Sequence, residues 1–165
     1  MVITGYDASV AEAHGFKIVH NADGTESSIP VTAAANEAMA QLTAAEANRL
    51  STSAKHSAVT PLAQGNCGTD HLDVYARPSA GAIVINTAYS VNTTSIGQVW
   101  HVVGNTANVA FNESFNGANF STTWTATHVV PISGYGHGQA EIQAGSHAIL
   151  INGGTCTAIV EGDSW

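Results

Sequence analysis

The chain has 165 residues, of which only 10% are charged, and a net charge of −8; Ser, Thr, Asn, Gly and Ala stand where an ordinary soluble protein has about a quarter of its residues charged. Arg77 is the only Lys or Arg after residue 65, so there is no cationic cluster for phosphates, which excludes nucleic acid and disfavours an anionic membrane surface as partners. No run nears the roughly 18 apolar residues that a spanning helix needs, so membrane insertion is not expected.

The length suits one domain, or a domain of about 100 residues with an appendage. Met1-Val-Ile-Thr-Gly-Tyr-Asp7 lacks the basic and apolar regions of a secretory signal. The chain is then either cytosolic or a product whose signal has been removed.

Asp7 to Gly15 predicts one or two helical turns, with Asp7 or Ser9 as N-cap and Gly15 as the stop. Phe16 to His20 alternates as a strand, Asn21-Ala22-Asp23-Gly24 is a turn, and Thr25 to Val31 returns as the second arm of a hairpin. Thr32 caps a helix reaching about Leu50, whose apolar stripe of Ala35, Met39, Leu42 and Leu50 is thin and broken by Glu46. Ser51 to Gln64, aperiodic and containing Pro61, reads as a linker. Residues 1–65 therefore read as an N-terminal extension or pro-region, and residues 66–165 as a separate domain. The alternative is that hairpin and helix pack on that domain as parts of one fold.

From Cys67 onward strand signals recur at the spacing of an all-β fold. Leu72, Val74 and Ala76 alternate with His71, Asp73 and Tyr75. Ile83, Ile85, Thr87, Tyr89 and Val91 form one face of a second strand. Further strands are expected at Ile96 to Val103, Ala107 to Phe115, Phe120 to Val130, Gln139 to Gln143, His147 to Ile151 and Thr155 to Val160. The joins are too short for parallel crossovers, so the fold class is mainly β, an antiparallel sandwich of seven or eight strands with the hairpin-plus-helix extension. Trp100 and Trp124 are the expected core centre, surrounded by Phe111, Phe115, Phe120, Tyr89, Ile142 and Leu150. Trp165 is left at the surface.

Cys67 and Cys156 lie 89 positions apart, each within two residues of a glycine and each flanking a β-segment. That spacing fits a ring-closing disulfide and a secreted, extracellular protein better than a metal site, which needs more ligands at short spacing. The alternative is a pair of buried thiols in a cytosolic core.

Histidine is the informative excess, with His71, His101, His128, His137 and His147 in the β-domain. His71 and Asp73, two apart on a strand, face one way as metal ligands can, but no further ligand pattern accompanies them, so neither metal nor cofactor is expected. Gly134-Tyr135-Gly136-His137-Gly138 suits a loop presenting Tyr135 and His137, and it suits a tight turn after Pro131 equally. Glu141 is near enough in sequence to orient His137. A hydrolase would gather His137, Tyr135, Glu141 and His71. No Gly-x-Ser-x-Gly elbow is present, and the spacing of the carboxylates selects no glycosidase pair. Thr123, Thr125 and Thr127 form an uncharged row on one strand face that can contact glycans, ice or another sheet, although threonine's β-propensity alone explains such a row. The Asn-x-Ser/Thr triplets at Asn92, Asn112 and Asn119 are of the number that chance supplies in this composition.

The order Ala13-His14-Gly15-Phe16-Lys17-Ile18-Val19, Asn21-Ala22-Asp23-Gly24, Ser28-Ile29-Pro30-Val31, Gly65-Asn66-Cys67-Gly68-Thr69, Gly134-Tyr135-Gly136-His137-Gly138 and Gly153-Gly154-Thr155-Cys156 resembles small secreted disulfide-containing β-proteins of actinobacteria. The resemblance implies export and a disulfide, and attaches no activity. The resulting expectation is a secreted β-sandwich with a non-enzymatic binding or cell-envelope role. Its contact surface would be an uncharged strand face, with Thr123, Thr125, Thr127, Tyr135 and His137 as binding residues. The sequence selects no single partner; a cell-surface glycan, a protein and a second copy are the candidates. The rivals are the hydrolase and a self-assembling extracellular structural protein built by strand-edge pairing.

Overall fold

The computed structural model describes residues 1–41, 43, 63–132 and 137–165. The fold is mainly β, an antiparallel sandwich of a seven-stranded and a four-stranded sheet, with a separate two-stranded hairpin. Among the described residues there are thirteen strands, more than the periodicity marks, because several short ones carry no pattern of their own.

The chain opens with β1 (Val2–Tyr6), then α1 (Ala8–Ala13). The Asp7 carboxylate caps α1 by accepting from the N–H groups of Ser9 (2.9 Å) and Val10 (3.1 Å). Gly15 follows the helix at φ +80°, a left-handed turn that a side chain would resist. The hairpin β2 (Phe16–His20) and β3 (Glu26–Pro30) stands as expected. A second helix occupies 33–41 and residue 43, started by Thr32, whose Oγ accepts from Ala35 N at 3.2 Å. Leu42, Glu46, Leu50 and most of the expected linker lie outside the described residues. Phe16, Ala11 and Ala35 form a small core of their own, with Ile151 packed against it.

The large sheet runs β1, β12 (Gly154–Thr157), β11 (His147–Leu150), β6 (Ala82–Val99), β5 (Gly68–Arg77), β4 (Ala63–Gln64), with β9 (Ser121–Pro131) also paired to β6. The 18-residue β6 is its spine. Its first half is flanked by β5 and β9, its second half by β11. The boundary drawn at residue 65 puts Val2–Tyr6 with the extension, whereas that strand pairs with β12 inside the sheet and Met1 is fully buried in the main core. Partner strands about 150 residues apart leave no local signal, which is why the composition change alone marked a division.

The second sheet is β13 (Gly162–Ser164), β10 (Gly138–Ile142), β7 (His101–Thr106), β8 (Ala110–Ser114). The segment Ile96 to Val103, expected as one strand, is divided: the chain leaves β6 at Val99, turns at Trp100 and enters the other sheet as β7. Between the sheets lie Trp100, Val102, Ile142, Ile83, Ile85, Leu72 and Val74, all buried, with Tyr89, Trp124 and Phe115 in aromatic contact. Phe120 is not in this core; it is 76% exposed, in the segment that leads into β9. Trp165 is half-buried and packs on Phe111, ring centroids 6.4 Å apart, over Gly138, where any Cβ would collide with its indole.

The Cys67–Cys156 disulfide is formed, with Cα atoms 6.0 Å apart. It fits an oxidising environment. No described helix is long and apolar enough to cross a membrane.

Candidate functional site

Register places the candidate site on the outer face of the four-stranded sheet. Cross-strand partners make two rows. Ser164, Gln139, Asn105 and Ala110 form the first, and Gly162, Glu141, Val103 and Asn112 the second. Gln143 N donates to His101 O (3.0 Å), and His101 Nδ1 lies 2.9 Å from Ser114 Oγ, extending the polar face by a third row. The first two rows line a groove of about 690 Å³. Ala110 and Gly162, on the two edge strands, carry little or no side chain, and Asn105, Asn112 and Gln139 present exposed amides along the rows.

The strands expose these groups by simple alternation. On β10 the even residues Ala140 and Ile142 are buried while Gln139 and Glu141 face solvent. The groove's other acid, Asp163, points the opposite way. Its Oδ2 accepts from Val74 N (2.7 Å) on β5 and its Oδ1 from Ser164 N (2.8 Å), so that carboxylate ties the two sheets together at one side of the sandwich. At the other side His128 Nε2 lies 3.2 Å from Glu113 Oε2, joining β9 to β8.

Of the residues singled out by sequence, Glu141 lines this groove and His137 immediately precedes β10, its Nδ1 3.1 Å from Trp165 O. Tyr135 lies outside the described residues. His71 is on β5, in the other sheet, beside Asp73 on the outer face, so it does not join Glu141 and His137. Asp73 is engaged in a ladder: its Oδ2 accepts from Asn86 Nδ2 (3.0 Å), whose Oδ1 accepts from Thr127 Oγ (2.9 Å). Among the described residues no group of three His, Cys, Asp or Glu is placed to hold a metal ion. Thr123, Thr125 and Thr127 are exposed on β9, on the same face as Ser90, Ala88 and Asn86 of β6. Sequence reasoning passed over Asn105, Asn112, Gln139 and Ser164, whose one signal is that polar residues alternate with buried ones in each strand.

A second acidic grouping is buried at the sheet edge. Asp70 is fully buried, its Oδ2 accepting from Ile159 N (2.7 Å) and its Oδ1 3.9 Å from the Met1 amino group. Burial pushes this carboxyl up and the amino group down, each partly countered by the opposite charge of the other. Glu161 is also held above the ordinary carboxylate range, first by burial and then by the charge of Asp70. Its Oε2 is buried without a hydrogen bond.

A raised carboxyl pKa means that the folded chain binds more protons than the unfolded one between the ordinary value near 4.5 and the raised one. Its penalty is therefore full at neutral pH and disappears as pH falls through that window. Glu161→Gln is expected to raise stability at pH 7, with solvent screening at this half-exposed site holding the gain to about 1 kcal/mol or less, and to lose its advantage near pH 4. Thermal unfolding of both proteins across that range checks the sign; a gain that persists at acid pH would show that charge is not its cause.

No protein-family model, curated protein or solved structure matches this chain.

Proposed function

We propose that the protein is a secreted, non-enzymatic binding module whose outer four-stranded sheet takes neutral, hydroxyl-rich ligands, cell-surface glycans being the class that fits. The observation that carries this reading is the pair of cross-strand rows that line the groove. Side-chain amides offer a donor and an acceptor on one rigid plane, which suits sugar hydroxyls that need both. With Glu141 the groove's single outward carboxylate among the described residues, an anionic ligand is disfavoured. Binding is favoured over glycoside cleavage because Asp163, the neighbouring acid, is committed to the amides of Val74 and Ser164. The disulfide supports an extracellular setting.

Titration calorimetry against neutral and acidic oligosaccharides tests this. A neutral oligosaccharide is expected to bind, and Asn105→Ala or Gln139→Ala to weaken it about 3- to 10-fold each, the value of one or two hydrogen bonds. Both side chains are exposed, so neither change should disturb the fold. Binding that is indifferent to both substitutions, or seen only with acidic sugars, would move the site elsewhere. Release of reducing ends during the titration, abolished by Glu141→Gln, would turn the reading toward the hydrolase.

A further inference from the structure

Strand β9 pairs with β6 on one side, and among the described residues no strand pairs its other side. Ile132 N donates to Gly81 O at 2.8 Å, and the same register continues along the strand. Bonded and non-bonded pairs alternate in an antiparallel ladder. Even-numbered residues of β9 therefore bond β6, and Thr125, Thr127 and Val129 direct their N–H and C=O groups to the open side. That open stretch is closed at both ends. Thr123 N donates to Ser121 Oγ (3.2 Å), its carbonyl accepts from Asn119 Nδ2 (3.5 Å), and Pro131 has no N–H. What remains is a three-residue window symmetric about Thr127.

Proteins blunt exposed edges with charged side chains, bulges or covering groups. On β5 the outward N–H of Val74 is taken by Asp163. Strand β9 has no Lys, Arg, Asp or Glu along its 11 residues, and β-branched threonine and valine make up much of it. Its His128 ring is turned to Glu113.

We infer that this edge is a homodimer interface, in which two copies pair antiparallel about a two-fold axis through Thr127 and join their large sheets into one. In that register Thr125 of one copy exchanges hydrogen bonds with Val129 of the other, and Thr127 with Thr127. Pro131 falls opposite Thr123, whose N–H and C=O are already occupied, so the missing donor leaves nothing unpaired. A shift of two residues one way sets Val129 against the occupied Thr123, and the other way sets Thr125 against Pro131. The self-complementary window is what selects a second copy over a foreign strand.

Sedimentation equilibrium over a concentration series, with amide exchange on the same samples, tests the inference on the full chain. A dimer is expected, with the amides of Thr125, Thr127 and Val129 slowing as concentration rises while those of Ala126 and His128 are slow throughout. Thr127→Pro removes an N–H that faces away from β6, together with the hydroxyl that donates to Asn86 Oδ1, and is expected to weaken the dimer at least about 10-fold. Thr127→Lys, which sets two like charges against each other, does the same if the proline variant misfolds. A monomer at all concentrations overturns the inference, as does a dimer that both variants leave intact or whose odd-numbered amides exchange independently of concentration.

Discussion

Loss of the Cys67–Cys156 disulfide is expected to lower stability by about 4 to 5 kcal/mol on the chain-entropy account, for a closed loop of this length. In a protein of this size that corresponds to a fall of about 10 to 18 °C in Tm. The bridge spans 89 positions and holds the start of β5 to β12, next to the edge strand β1, so in the unfolded chain it restricts most of what the sandwich must assemble. Both cysteines are buried, at 1% and 0% exposure, and a reductant reaches them only when the β1–β12 end opens. Cys67→Ala/Cys156→Ala is the cleaner comparison with the oxidised protein, because it leaves no buried thiols. Urea unfolding of the double variant, beside wild type with and without reductant, measures the effect. Reduced wild type and the double variant should unfold together, well below the oxidised protein. A midpoint that reduction does not move would show that the native state itself is strained by the bridge and gives back what the loop constraint supplies.

The parts of this fold legible in sequence are those where one strand faces a dry core and a wet surface by turns. Leu72 and Val74, and Ile85 to Val91, show that alternation and sit where it places them. Trp124 packs on the core for the same reason, being a large ring on a strand, whereas Trp100 is buried at the join between β6 and β7. Phe120 lies outside the core although its hydrophobicity marks it as buriable, because its position before β9 leaves it 76% exposed. Asp70 shows the converse. A carboxylate reads as solvated, and its burial depends on Ile159 N and on the amino group of Met1, neither of which is near in sequence. The groove was hidden for a topological reason. Its rows are assembled by the order β13, β10, β7, β8, so Ser164, Gln139, Asn105 and Asn112 are ordinary exposed polar residues until four strands bring them side by side. His71 and Glu141 could be grouped in sequence only because nothing there says that their strands belong to different sheets.

Trp100 is where the chain passes from one sheet to the other, and its replacement should show how far the two depend on each other. The residue is fully buried. Its ring lies 5.3 Å from that of Tyr89 and 5.9 Å from that of Trp124, its indole N–H donates to Thr87 Oγ at 2.9 Å, and that hydroxyl donates to His71 O at 3.2 Å. Its backbone is fixed as well, N donating to the side-chain Oδ1 of Asn116 (3.0 Å) and O accepting from Phe115 N (2.8 Å). Trp100→Ala is expected to cost about 3 to 5 kcal/mol, the transfer term plus an unfilled cavity between the sheets. Thr87→Val keeps the volume and leaves the indole N–H without its acceptor in a site closed to water, which is expected to cost about 1 to 3 kcal/mol. In Trp100→Phe the donor is absent too, so replacing Thr87 by Val in that background should cost about 1 kcal/mol less than in wild type. Urea unfolding of the four proteins measures the cycle. If Thr87→Val costs the same in both backgrounds, the hydrogen bond contributes nothing of its own and the crossing is held by aromatic packing alone.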